Sequence, residues 1–543
     1  MNSPRQQLGM RSYTGPARWP SEKKLATPVI LAMLVLMPML FGDRQGFEGD
    51  GLAMLFGMNQ FEILGRAGVY RYHWQPLSYE LLAAIAPWLN KPFALTYVAQ
   101  GLGGAGLALL YLLLARMLKA APYARCMALV LTLSISELWV TTLYFNTTAL
   151  ALPFVIGALL AMHMGCTPKI RPGLMCLSGA LMATGCLFRL DFAVFVPILL
   201  VLPRFWAVQS RLRLFLLFAA GGLATVGIFL AWQPHFIPDA AAILQRYGEG
   251  EFEVTMMYRV KIVLFALGPA LVVLPVLWWT TRPWKAAYAD QSFDKTWLLY
   301  WLALLPTLVP LRNLYSGKYL VPFFLGLVLA VAQAVARNCR TTQTTSIQLS
   351  AHGRQQLGVV VATASLAALA LIGVPTAEAL KKNPLTAWAA DPLVVGTHDG
   401  ARSAGAYISY LKQMDSFELP QSSVRFYKQL SEVVGQCHHD LTVVMSPVEK
   451  YGHNEWSWGW LPLYLMQQDW RLTEYRAGQF ARLEQASTGH QVRIVGHEQG
   501  APAGERHVLD MSLIGLREDY AFWTDAEHWI QNPATRAVCD NPQ

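Results

Sequence analysis

Apolar residues in this chain fall into long unbroken runs, and polar residues are confined to the gaps between them. The first run, "LATPVILAMLVLMPMLF" (25–41), follows a segment carrying Arg18, Lys23 and Lys24. Later runs predict helices over roughly 93–116, 125–145, 149–165, 172–188, 190–204, 212–233, 261–281, 295–311, 318–337 and 357–375. That makes about eleven spans, each able as a helix to cross most of a hydrocarbon core about 30 Å thick. No small-x-small cleavage site follows the first run, so it reads as an uncleaved anchor rather than a removed signal. After residue 376 the pattern changes. Helix-like periodicity ("ARSAGAYISYLKQM", "SSVRFYKQLSEVVGQC") mixes with short strand-like runs ("LTVVMS", "QVRIVG", "HVLDMSLIG").

The predicted fold class is therefore mainly α: a polytopic transmembrane helix bundle with a C-terminal extracytoplasmic α/β or α+β domain. Residues 1–24 form a basic cytoplasmic tail, 25–375 the membrane domain, and 376–543 the soluble domain. Composition agrees, since 54% of the 543 residues are hydrophobic and 14% charged, against about a quarter charged in soluble domains.

Charge sets the orientation. Arg116, Lys119 and Arg125, then Lys169 and Arg171, Arg204, Arg211 and Arg213, Arg282, Lys285 and Lys295, and Arg337, Arg340 and Arg354 occupy alternate loops. All lie on the side of the basic N-terminus, which the positive-inside rule makes cytoplasmic. The net charge of +9 thus reflects membrane topology, and nucleic acid is not expected as a partner. The loops near 42–92, 145–148, 189–191, 234–260 and 312–317 face outward. In the first of these, "LAMLFGMNQFEILGRAG" has the periodicity of a helix lying on the membrane surface.

Ionisable residues inside apolar segments are costly and mark functional positions. Arg189 and Asp191 ("GCLFRLDFAVFVP") lie at the junction of two spans with almost no loop between them. Glu137 ("LSISELWVTTLYF") lies in the outward half of the third span, and Arg312 and Lys318 ("LRNLYSGKYLVPFF") at outward ends of two successive spans. Glu48, Asp50 and His73 belong to the first outer loop. All reach the outer leaflet, where a carboxylate base and several cations suit phosphate chemistry. Each has a simpler reading too: a helix-turn ion pair for Arg189–Asp191, snorkelling for Lys318, an interhelical hydrogen bond for Glu137.

The order of these motifs resembles the GT-C superfamily of polytopic glycosyltransferases, such as protein O-mannosyltransferases and lipid A aminoarabinose transferases. The likeness rests on "FEGDG" after the first span, "YHWQPLSY" with Pro76, Leu77 and Tyr79, "FRLDFAVFVP", and "GKYLVPFF" with Lys318, Tyr319 and Pro322. Gly51 stands where many members have Glu after the Asp, and Gln75 replaces the first Pro of a Pro-Pro pair. The resemblance implies sugar transfer from a polyprenyl-phosphate donor to a lipid, glycan or protein acceptor on the extracytoplasmic face of a bacterial inner membrane. Asp50 would be the catalytic base; Arg189, Arg312, Lys318 and Tyr319 would hold the donor phosphate; Glu48, His73, Glu137 and Asp191 would line the site. No metal ligand set is assigned, and a divalent metal stays open as a cofactor. The alternatives are a transporter or flippase of lipid-linked sugars and a non-catalytic envelope-assembly protein.

Other motifs read more plainly. "GLGGAG" (101–106) lies within a span, where small residues let helices approach closely. "CHHD" (437–440) and "HNEW" (453–456) lack metal-ligand spacing, and "HNEWSWGWLPLY" suits either a small-domain core or sugar stacking. "NTT" (146–148) is a formal glycosylation sequon. Cys437 and Cys539 are able to pair in an oxidising compartment.

Overall fold

The computed structural model describes residues 26–41, 76–85, 94–118, 124–143, 145–166, 170–196, 210–234, 320–342, 392–395, 398–403, 421–437, 439–445, 460–476, 480–496 and 507–510, with isolated positions between 263 and 274. The expected spans at 295–311 and 357–375 lie outside these residues.

The described N-terminal part has nine helices, and all but the second follow the apolar runs; the second lies in the expected outer loop 42–92. They are α1 (Ala26–Phe41), α2 (Pro76–Ile85), α3 (Ala94–Met117), α4 (Ala124–Ser134), α5 (Ser136–Val140), α6 (Thr147–Gly165), α7 (Pro172–Phe188), α8 (Arg211–Trp232) and α9 (Val321–Thr342). Among the described residues α3, α6 and α8 are long and apolar enough to cross a membrane, with shorter apolar helices at 27–40, 124–134, 172–188 and 321–333.

Apolar burial does not drive helices together in lipid, so close backbone approach and polar bonds take its place. The α3 glycines serve that approach: a Cβ on Gly103 would stand 2.6 Å from Thr142 Cβ, and one on Gly106 2.9 Å from Leu152 Cγ. "GLGGAG" is thus a packing surface, as its position within a span suggests. Helices α6 and α7 form an antiparallel pair, with Gly165 against Met175 at one end and Gly185 against Val155 towards the other. Ser178 Oγ donates to the Ala158 carbonyl at 2.8 Å midway along it. Helix α8 packs on α7 through Gly179, Gly221 and Gly222 and leaves Leu212, Leu216, Leu223 and Ile228 exposed, as a lipid-facing surface requires.

Two expected spans differ in detail. The 125–145 run is broken at Ile135, which is extended (φ −92°, ψ 110°) between α4 and α5. Ser134 Oγ bonds back to the Leu131 carbonyl, and Thr132 Oγ1 to that of Ala128; such back-bonding bends helices. The 190–204 run begins as a 3₁₀ turn, Leu190–Val194, after an extended Arg189.

The C-terminal part contains the hairpin β1 (Pro392–Val395) and β2 (His398–Ser403), then α10 (Gln421–Gly435), β3 (Leu441–Met445), α11 (Trp460–Gln467), β4 (Trp470–Arg476), β5 (Phe480–Gln485), β6 (Gln491–Gly496) and β7 (Val508–Asp510). The last five strands form one mixed sheet in the order β4-β5-β6-β3-β7. Strands β4, β5 and β6 are antiparallel neighbours, while β3 runs parallel to β6 and β7. Alternation along the strands buries Leu441, Val443, Ala481, Leu483, Val492 and Ile494 with Leu430, Val434, Leu461 and Leu465 of the helices. Strand-like runs in the sequence correspond to β3, β6 and β7. The helical pattern at 401–414 begins instead within β2, and its remainder lies outside the described residues. Cys437 is disulfide-bonded; Cys539 lies outside the described residues.

Candidate functional site

A polar network closes one end of the bundle. It forms where α3 and α6 begin, α7 ends, and the α5–α6 turn crosses between them. Arg189 follows the last turn of α7, where the carbonyl end of a helix favours a cation. Its side chain is buried, and its partners account for that burial. Nε bonds both oxygens of Asp191, at 2.9 and 2.8 Å. Nη1 donates to Thr148 Oγ1 at 2.7 Å and to Thr147 Oγ1 at 3.3 Å.

Those threonines are placed by the residue before them. Asn146 is the N-cap of α6: its Oδ1 accepts from the Ala149 N–H at 2.9 Å, and its Nδ2 donates to the Thr141 carbonyl. Thr141 Oγ1 in turn donates to the Glu137 carbonyl at 2.9 Å. Gln100, in the second turn of α3, donates from Nε2 to the Leu143 carbonyl at 2.7 Å. Helix α2 joins from the other side, where Ser78 Oγ donates to the Phe188 carbonyl at 3.2 Å. This bond satisfies one of the carbonyls that the end of α7 leaves without a helical partner. Two short runs of polar bonds thus meet at the start of α6: one from the Glu137 carbonyl through Thr141 to Asn146, the other from Thr147 and Thr148 through Arg189 to Asp191.

Of the sequence-selected residues, Glu137, Arg189 and Asp191 are described. Arg189 and Asp191 are in direct contact, and Glu137 is buried on α5, 1% exposed, one helical turn before Thr141. Asp50, Glu48, His73, Arg312, Lys318 and Tyr319 lie outside the described residues. Asn146, Thr147, Thr148, Ser78 and Gln100 escaped the sequence reading, as did Glu80, a second buried carboxylate on α2. For the threonines a signal was present, because "NTT" directly before an apolar run is a helix-start pattern. The same three residues also form a sequon, which masks that signal. With its amide committed at both ends and fully buried, Asn146 offers no acceptor surface.

Among the described residues no group of three or more His, Cys, Asp and Glu could hold a metal ion. Next to the C-terminal sheet, His439 and His507 meet with ring centroids 3.8 Å apart and planes tilted by 43°. That is a ring contact between the starts of β3 and β7.

No known family model matches this chain, and no curated protein does. The apo structure of ArnT from Cupriavidus metallidurans is similar over 81% of this chain and 84% of that one, at 13% identity and a TM-score of 0.44. A likeness of that extent carries no weight for activity or site.

Proposed function

We propose that this chain is an integral membrane glycosyltransferase of the GT-C type. It moves a sugar from a polyprenyl-phosphate-linked donor to a lipid, glycan or protein acceptor on the extracytoplasmic face of a bacterial inner membrane. Its N-terminus is then cytoplasmic and its C-terminal part extracytoplasmic.

The observation that supports this reading best is the buried network at one end of the bundle. A guanidinium held among apolar helices by hydroxyls and one carboxylate is expensive to bury and needs a reason to be there. Three of the remaining candidates, His73, Lys318 and Tyr319, stand within three residues of a described helix in sequence. Helix α2 begins three residues after His73. Helix α9 begins three residues after Lys318 and packs against α5 and the 3₁₀ turn.

In the proposed reaction Asp50 takes the proton of the acceptor hydroxyl as the acceptor oxygen bonds to the anomeric carbon. The bond from that carbon to the phosphate oxygen breaks, and its electron pair leaves with the lipid phosphate. Arg189, Arg312 and Lys318, with the Tyr319 hydroxyl, stabilise the charge gathering there. Glu48, His73, Glu137 and Asp191 line the site.

The test is mass spectrometry of envelope glycolipids and glycans from a deletion strain complemented with wild type or Asp50→Asn at equal membrane level. Loss of one sugar-sized mass, restored by wild type alone, is the expected result. Full restoration by Asp50→Asn would remove the proposed base.

One observation favours a second reading. The break at Ile135, followed by buried Glu137, is the kind of discontinuous helix found in carriers. A flippase of lipid-linked sugars would move the donor across the bilayer without forming a glycosidic bond. Transport of a labelled donor into the outer leaflet of vesicles, with no acceptor present, separates the two.

A further inference from the structure

The grip between Arg189 and Asp191 is lopsided. Both carboxylate oxygens bond the single Nε–H, at 2.9 and 2.8 Å, whereas a forked pair would set two oxygens against two nitrogens. The guanidinium keeps a separate hold on the protein through Nη1 and the hydroxyls of Thr147 and Thr148. Exposure is equally uneven: the Arg189 side chain is 4% accessible and that of Asp191 26%. The carboxylate is therefore the outward member of the pair. It stands on a short 3₁₀ turn, whose hydrogen bonding is weaker than that of an α-helix. A rotation of its side chain would uncover Nε while Nη1 keeps its hold on the threonines.

A phosphate oxygen asks for the same donor that Asp191 uses. We infer that Asp191 is an internal stand-in for phosphate: it covers the Nε face of Arg189 and yields that face to the phosphate oxyanion of a polyprenyl-linked ligand. The inference rests on the proposed role of Arg189 as a donor-phosphate ligand. No covalent step is involved, only exchange of one anion for another on a fixed cation. The exchange keeps a buried positive charge paired at all times and avoids the cost of an uncompensated ion. After sugar transfer, the returning carboxylate would displace the lipid phosphate product.

The experiment uses the full-length protein in lipid nanodiscs, with undecaprenyl phosphate as probe and undecaprenol as the uncharged control, read by native mass spectrometry. Asp191→Asn removes the competing charge and should tighten binding of the phosphate roughly five- to tenfold, with no change for the alcohol. Asp191→Ser should do the same, and serves if the amide variant does not fold as judged by tryptophan-fluorescence melting. Arg189→Gln, confirmed as folded by the same melt and by unchanged retention of the alcohol, should weaken phosphate binding at least roughly tenfold. If folded Asp191 variants bind more weakly while Arg189→Gln also binds weakly, the pair is one fixed anion site. The stand-in role is then wrong, although the phosphate reading survives. If Arg189→Gln binds as wild type does, Arg189 is no phosphate ligand and both fall together.

Discussion

Two arginine–carboxylate pairs, one in each part of the molecule, illustrate how different the two parts are. In the sheet, Arg482 Nη1 lies 3.7 Å from Glu474 Oε2, with both side chains about a third exposed. The Arg482 guanidinium also lies over the Phe480 ring at 5.3 Å. In the bundle, Arg189 meets Asp191 at 2.8 Å, with the arginine side chain almost closed off and the carboxylate about a quarter exposed. Of the buried polar residues described, only Ser431 and Thr442 belong to the sheet and its helices; the others belong to the bundle. The sheet has two faces and can leave its charges on the one away from the helices. A helix surrounded by lipid has no watery face at mid-depth, so its polar groups must meet inside or gather at an end. Burial of charge is therefore ordinary chemistry at the bundle end and would be an anomaly in the sheet.

The comparison can be broken most easily at its extreme. Arg189→Ala removes one partner of a buried pair and leaves Asp191, Thr147 and Thr148 facing a void. Such losses cost about 3–5 kcal/mol, so detergent-solubilised protein should melt far below wild type by tryptophan fluorescence.

Gly179→Leu comes next. A Cβ there would run into the Phe218 carbonyl of α8, and prising apart two packed helices costs about 1–3 kcal/mol. Reduced accumulation in the membrane and earlier heat aggregation are the readouts. Asn146→Ala deletes the cap of α6 and the bond to Thr141, for an expected cost of about 1–2 kcal/mol. Amide hydrogen exchange should rise in the first turn of α6 while α8 is unaffected.

The smallest effect belongs to the sheet. Glu474→Gln should change stability by less than about 0.5 kcal/mol, because a pair about a third exposed is screened by water and salt. A thermal shift comparable with that of Arg189→Ala would mean that the sheet face is drier than its exposures indicate.

The same contrast governs how much of each part can be read from sequence. In the bundle, Arg189 and Asp191 stand out because charge is rare in apolar runs, and their spacing of two residues across a helix turn suits an ion pair. Their hydroxyl partners do not stand out, since threonine is common in membrane helices and its bonds depend on which helices meet. The break at Ile135 was equally hidden, for it comes from serine and threonine back-bonding rather than from proline or a polar gap. In the C-terminal part, β3, β6 and β7 were legible as apolar runs. Strands β4 and β5 were not, because "WRLTEYR" and "FARLEQ" carry charges on one face and resemble amphipathic helix as much as strand. Alternation becomes readable there only once Leu472, Ala481 and Leu483 are seen to share the helix-covered side.

The buried amide of Asn146 has a practical consequence. Membrane topology is commonly mapped by expressing a protein in a eukaryotic host and asking which sequons acquire oligosaccharide. Once the chain has folded, "NTT" is out of reach whichever compartment it faces, because the turn closes around the side chain the transferase must reach. A topologist scoring a blank there would place the turn in the cytosol. The sequon is therefore a false reporter in this protein, and an inserted tag elsewhere in the same loop would be needed to locate it.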